Sequence, residues 1–325
     1  MPDTTTPVRF RDRHIRFANG AAGRSIEIAS ANPRNYHQLV SDPGAMPPVT
    51  IDGKLFLPPG ATGRVPVVMV VPGSLSVAPS HLAHAETFNG MGFASFVLDP
   101  FGARGVTSTV ANQTQFSFAA SALDVMRAVR ALSALPEIDP ARIGLQGHSR
   151  GGSAVLMAAM TRLNAGQLGG ARIRAVLAGY PWCGHQPVVP DVGGAEIRTL
   201  IGDRDEWCSA QQAQGFTQAI RLRGGAASIR IVPGAAHSFD RREPIQRIDN
   251  ASVAPGAPTA YLANDGAMIH PATGVADPAL TDRDVMIYGI KAGYGVKGAT
   301  IGSRDDQADL FRDDMMAFFG RTLAG

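Results

Sequence analysis

The 325-residue chain is short of several things, and each shortage narrows what it can be. Cysteine occurs twice, at Cys183 and Cys208, too few for a disulfide-stapled scaffold or a structural zinc site. Lysine is scarce and the arginines are scattered. With 30 basic against 27 acidic residues, the formal net charge is only +3. No basic run tracks a phosphate backbone, so no nucleic-acid partner is expected. Long apolar runs are missing too. The longest, Val65 to Val71, contains Pro66 and falls far short of the roughly 20 residues that cross a bilayer, so no membrane partner is expected. The N-terminal MPDTTTPVRFRDRHIRF holds no apolar stretch of signal-peptide length. The expected location is therefore cytoplasmic; a periplasmic or secreted protein would need a leader removed before numbering. What remains is an ordinary globular balance, 45% apolar and 18% charged, in a chain long enough to bury a core unaided.

Patterning along the chain alternates. Residues 1–60 read as an N-terminal extension with short strands, including a hairpin turn within Thr50 to Leu57. Val65 to Val71 is continuously apolar and β-branched, the pattern of a strand buried on both faces. Further strands are expected at Phe93–Leu98, Arg142–Gln146, Arg174–Ala178, Ile197–Ile201 and Ala227–Val232. Between them lie helical stretches at His81–Met91, Ser117–Leu135, Arg150–Leu163 and about Ser209–Leu222. In the second, Leu123, Met126, Val129 and Leu132 recur at helical spacing. Asp305 to Leu323 closes the chain as an amphipathic helix. Strands alternating with helices imply parallel crossover units in one domain. Such sheets gather their ligand sites at the carboxyl ends of the strands. Residues 240–304, rich in Gly, Ala, Pro and Asp, read as an irregular excursion, and long excursions of this kind are often functional.

Gly147-His148-Ser149-Arg150-Gly151 fits the G-x-S-x-G nucleophile turn, directly after an expected strand and before an expected helix. The glycines permit the tight turn that lifts a serine clear of the backbone. A serine nucleophile needs a base, and the base needs a carboxylate to orient it. His237 follows the last strand and so shares the edge with Ser149. His185 precedes any suitable acid, and His270 lies in the irregular segment. The acid is expected after Ile201, where Asp203 and Asp205 both stand. Asp205 is set further into the loop and can reach His237, while Asp203 is placed to cap the turn. An oxyanion site needs two backbone N–H groups. Arg150, next after the nucleophile, and Ser74, in the loop Pro72-Gly73-Ser74-Leu75, are the expected donors.

These pieces resemble the dienelactone-hydrolase-like branch of the α/β-hydrolase superfamily. The likeness runs over roughly residues 50–240. Besides the segments already quoted, Leu98-Asp99-Pro100-Phe101-Gly102-Ala103-Arg104-Gly105, Ile138-Asp139-Pro140-Ala141-Arg142-Ile143 and Gly234-Ala235-Ala236-His237-Ser238-Phe239 carry it. The resemblance implies an α/β-hydrolase fold: a mostly parallel, doubly wound sheet flanked by helices. It implies a triad of Ser149, Asp205 and His237 and no metal or organic cofactor. The founding dienelactone hydrolases look like cysteine-nucleophile enzymes. Serine here points instead to a serine esterase acting on ordinary carboxylic esters, a small-molecule substrate. The same triad would serve an amide, peptide or carbon–carbon bond, and a non-catalytic binding module on this scaffold would be expected to show a broken triad.

Some features stay open at this level. Arg104 is a candidate to bind a substrate carboxylate, or to hold its own loop by pairing with Asp99. Trp182 and Trp207 are candidate substrate-binding residues. Cys183 and Cys208, each next to one of those tryptophans, form a candidate disulfide. Only 17 residues separate Gly179 from Ile197, so no helical cap domain fits at the usual insertion point. The 240–304 segment is then the candidate wall of the site.

Overall fold

A computed structural model describes residues 9–324; the first eight residues of the N-terminal reading lie outside it. The strands, in chain order, are β1 Arg24–Ala31, β2 Pro48–Phe56, β3 Val65–Val71, β4 Ala94–Asp99, β5 Ile138–His148, β6 Ala175–Gly179, β7 His185–Pro187, β8 Glu196–Gly202 and β9 Ala227–Val232. All except β7 form one eight-stranded sheet in the order β1-β2-β4-β3-β5-β6-β8-β9. From β4 to β9 every pairing is parallel. β2 runs antiparallel to both β1 and β4.

Parallel strands need crossovers, and helices supply them. The crossover helices are α2 Pro79–Gly90, α3 Phe118–Ser133, α4 Arg150–Ala159, α5 Thr161–Asn164 and α6 Ala210–Leu222, while α1 Tyr36–Ser41 links the antiparallel β1 and β2. Side chains of a strand alternate between its faces, so residues an odd number apart look opposite ways. At Gly144 of β5 a Cβ would meet Phe319 and Leu323, whereas at Gly147 it would meet the start of α4. The C-terminal helix and α4 therefore cover opposite faces of β5. α2 joins the first layer through an edge-to-face contact of Phe88 with Phe319. Both faces being covered, β3 from Val67 to Val71 is buried throughout, as its unbroken apolar run requires.

The strands expected in the N-terminal extension are β1 and β2, which complete the main sheet rather than standing outside it. One expectation needs correction: there is no hairpin turn at Asp52-Gly53. Those residues pair with Asp99 and Leu98 in the middle of β2, and the Asp52 carboxylate is tied to Arg9. Turn-forming composition gave way to pairing with a buried neighbour strand.

The excursion after β9 is ordered. It contains β10 Gln246–Val253, β11 Ala260–Leu262, β12 Met268–Ile269, β13 Ala276–Asp277, α7 Asp282–Lys291 and β14 Val296–Ile301, before the closing helix α8 Gln307–Leu323. β10 and β14 form a two-stranded ribbon, and β11 to β13 join β7 in a small second sheet. β11 to β13 are too short to show a periodic pattern in the sequence. No helix among the described residues is long and apolar enough to cross a membrane.

Candidate active site

The sharpest backbone feature is Ser149, between β5 and α4. Its φ is 55° and ψ −116°, a conformation that costs a non-glycine residue energy. The glycines on either side are enforced by packing. A Cβ at Gly147 would stand 2.1 Å from the carbonyl oxygen of Gly151, and one at Gly151 would stand 2.4 Å from that of Val71. Strand and helix thus meet too closely for any side chain, and the turn between them throws Ser149 outward.

His237 lies past the end of β9. Its Nε2 is 2.9 Å from Ser149 Oγ, and its Nδ1–H donates to Asp205 Oδ2 at 2.7 Å. With Nδ1 bearing the proton, Nε2 is left to accept from the serine hydroxyl. Asp205, past the end of β8, is fixed in turn by the backbone N–H groups of Trp207 and Cys208, which donate to its Oδ1 at 2.8 and 2.9 Å. Asp203 does the other job: its Oδ1 accepts from the Gly234 N–H at 2.7 Å and braces the turn before His237. Serine, histidine and Asp205 thus come from three strand ends on one sheet edge.

The Gly73-Ser74 loop lies against Ser149, with a Gly73 Cβ placed 3.1 Å from that of Ser149. Ser74 is held by Thr109 N–H and Ser108 Oγ donating to its carbonyl, while its own hydroxyl donates to Gln113. Arg150 opens α4, so its N–H is one of the helix's free amides. Its side chain turns away and is fully engaged: Nε donates to Ser121 Oγ, Nη1 to the Gln113 carbonyl and Nη2 to that of Phe116. The guanidinium sits 4.4 and 4.1 Å from the ring centres of Phe116 and Phe118, and burial lowers its pKa to about 10.

Ser149 opens on a cavity of about 450 Å³. Trp182, Trp207, Phe118 and Cys208 line it from the main domain, and Val253, Val285, Met286 and Ile290 from the excursion. The excursion is therefore a wall of the site, and it is clamped to the acid loop. Glu206 accepts the N–H and hydroxyl of Thr300 in β14, and Trp207 Nε1–H donates to the Thr300 carbonyl. The Trp207 ring stacks on His237 at 5.2 Å. Trp182 stacks on Phe118 at 4.3 Å.

Arg104 is not in this cavity. It pairs with the buried Asp124 at 2.7 Å and bonds Asn32 and the Pro100 carbonyl, so it ties β1 and α3 to the loop after β4. Asp99, its expected partner, instead accepts from the amides of Phe101 and Gly102. A substrate carboxylate has no access to a guanidinium whose side chain is 6% exposed. Arg104→Ala is expected to lower unfolding stability by about 3–5 kcal/mol, the cost of orphaning a buried charge. KM should stay within about twofold. Urea midpoints beside KM values check this, and a raised KM at unchanged stability would restore a substrate role.

The candidate disulfide does not form: Cys183 and Cys208 are both free, buried thiols. Burial pushes each well above the ordinary thiol range, so they pack as small neutral groups. His270 lies against Tyr288 in the excursion.

Reading motifs alone misses a second polar cluster beneath the triad. Asp240, three residues past His237, accepts from His84 Nε2 at 2.8 Å and from the Tyr180 hydroxyl at 2.7 Å. Tyr180 meets the His237 ring edge-on at 4.6 Å. Among the described residues, two groups, Asp205/Cys208/His237 and His84/His148/Asp240, bring potential metal donors within 4.8 Å of one another. In each, one pair is already at hydrogen-bond length, 2.7 and 2.8 Å. Two ligands of one zinc would stand about 3.3 Å apart.

A mostly parallel sheet flanked by helices, with a serine turn at the carboxyl end of a central strand, defines an α/β hydrolase. A sequence model of the dienelactone hydrolase family matches residues 51–259. The chain belongs to that family and is a hydrolase. No curated protein matches it. Among solved structures it is similar to a Klebsiella pneumoniae protein assigned as a dienelactone hydrolase. There the identity is 13% and the TM-score 0.53, over 92% of this chain and 99% of that one. A second structure, described as m3DLH, matches at 15% identity and a TM-score of 0.51 over the same shares of the two chains. At these identities the likeness is one of fold.

Proposed function

We propose that this hydrolase cleaves carboxylic esters through an acyl-enzyme on Ser149. The observation that carries the reading is the continuous hydrogen-bonded line from Asp205 through His237 to Ser149, opening on a largely apolar cavity. His237 Nε2 takes the serine proton as Oγ attacks the ester carbonyl. Asp205 keeps the imidazole in the required tautomer and stabilises its charge. The Ser74 and Arg150 amides hold the developing oxyanion, a contribution of about 3–4 kcal/mol per donor in comparable sites. The protonated His237 then gives its proton to the departing alkoxide. Water, activated by the same imidazole, releases the acid and restores the serine. None of these steps calls on a metal or organic cofactor.

The bond cleaved is tested with matched ester and amide substrates of one acyl group. The ester is expected to turn over faster by at least about 100-fold in kcat/KM. A fluorophosphonate should label Ser149 and no other residue. Amide cleavage at a rate equal to the ester's would overturn the ester reading; labelling elsewhere would overturn the nucleophile.

A further inference from the structure

One end of the cavity is polar in a way the ester chemistry does not use. His185 and Asp282 both line the cavity and are 2% and 8% exposed. Neither ring nitrogen of His185 has a hydrogen-bond partner, and neither does Asp282 Oδ1. The other carboxylate oxygen, Oδ2, accepts the Phe118 N–H at 2.7 Å and so holds the group in place. A fourth unpartnered atom, the hydroxyl of the fully buried Tyr36, belongs to a ring that meets His185 edge-on at 5.9 Å. A buried polar atom left unpaired costs about 1–3 kcal/mol, so a cluster of them calls for a partner.

The spacing fits one oxygen. His185 Nε2 and Asp282 Oδ1 are 3.8 Å apart, too far to bond each other. A single hydroxyl oxygen can lie about 2.8 Å from each. Its hydrogen would go to the carboxylate, and it would accept from the imidazole. Burial lowers the His185 pKa, which keeps the ring neutral with one N–H to give. An anionic group would face the Asp282 carboxylate and is disfavoured. The approach to this pair is aromatic: Trp182 lies stacked on Phe118, and His185 meets Trp182 edge-on at 4.7 Å.

We propose that His185 and Asp282 form a hydroxyl-recognition subsite, and that the substrate is an ester bearing a hydroxyaryl group whose ring packs against Trp182 and Phe118. The proposal rests on the ester reading of Ser149 and adds the substrate class to it. The hydroxyaryl group can belong to the acyl or the alcohol half, and two substrate series separate these. One is methyl 3-(4-hydroxyphenyl)propanoate beside its phenyl and 4-methoxyphenyl analogues. The other is 2-(4-hydroxyphenyl)ethyl acetate beside 2-phenylethyl acetate.

In at least one series the hydroxylated ester is expected to exceed its phenyl analogue in kcat/KM by about 10-fold or more. In His185→Phe, which keeps an edge-on ring, and in Asp282→Asn, which keeps an acceptor for Phe118, that ratio should fall to near one. A second readout needs no turnover. The chain's two tryptophans, Trp182 and Trp207, both line the cavity. Their fluorescence in Ser149→Ala protein reports binding of 3-(4-hydroxyphenyl)propanamide against 3-phenylpropanamide. Tighter binding of the hydroxylated amide, lost on adding His185→Phe, supports the subsite even where no ester is cleaved; that combination would overturn the ester reading alone. Equal rates in both series together with equal binding would overturn the subsite and leave His185 and Asp282 as a packing pair.

Discussion

Replacing Ser149 by alanine is expected to lower kcat on an ester by about 10⁴-fold or more, with KM within a few-fold of the parent. The size of the effect follows from what the side chain does. In the proposed mechanism every covalent step passes through Oγ, and the residual rate would come only from the oxyanion amides and from holding the ester against them. KM is insulated because the cavity walls, drawn from Trp182, Phe118 and the excursion, are untouched. Stability should change little. The positive φ at position 149 is imposed by the contact of Gly147 with Gly151, and alanine inherits it. Steady-state kinetics and thermal unfolding of the same preparation check both halves. More than a hundredth of the parent activity, in protein free of parent enzyme, would remove Ser149 from the nucleophile's role.

Asp240→Ala should be the most damaging single change to stability close to the site. It leaves His84 Nε2–H and the Tyr180 hydroxyl unpaired in the interior, at about 1–3 kcal/mol each, so roughly 2–6 kcal/mol together. The loss should also depend on pH. Burial on its own would raise the Asp240 carboxyl. The hydrogen bond from His84, the neighbouring His148 and the hydrogen bond from Tyr180 overcome it and hold the group well below the usual carboxylate range. A depressed folded-state pKa contributes stability above the unfolded-state value, about 4, and loses it as pH falls below that. The difference between parent and variant should thus be full at pH 7 and shrink below about pH 4. Urea unfolding at both pH values measures it. A gap of the same size at the two would mean that Asp240 acts by packing rather than by charge. Because Tyr180 also backs the His237 ring, kcat should fall with stability while KM holds.

How much of this was legible beforehand depended on range along the chain. β3 announced itself because burial on both faces leaves a continuous apolar run. The serine turn did so because strand, glycines and helix are adjacent in sequence. Asp205 and His237 were reachable from the rule that strand ends share an edge. Arg104 was not: its partner Asp124 lies on α3, and Asp99 was the nearer carboxylate in sequence. β2 was harder to read because Asp52-Gly53 carries turn composition, and only the pairing with β4 overrides it. Much of the excursion hid its order because β11 to β13, of two or three residues each, leave no period to read, and the longer β10 and β14 do not alternate buried with exposed residues. Asp240, His84 and Tyr180 belong to three separate segments, and nothing local marks them as one network.

The ribbon strand β14 has a consequence for how ligands can fail. It borders the cavity through Val296 and Lys297, takes Glu206 and Trp207 of the acid loop at Thr300, and bridges to His237 at Ile301. A guest too bulky for the cavity must push on the member that keeps the imidazole aligned. Oversized esters should therefore behave as inhibitors that bind without reacting, rather than as slow substrates. Tolerance of larger guests would have to come from the opposite side, at the far end of α7, whose Ile290 is 60% exposed, since the near end is held by Asp282 at the Phe118 N–H.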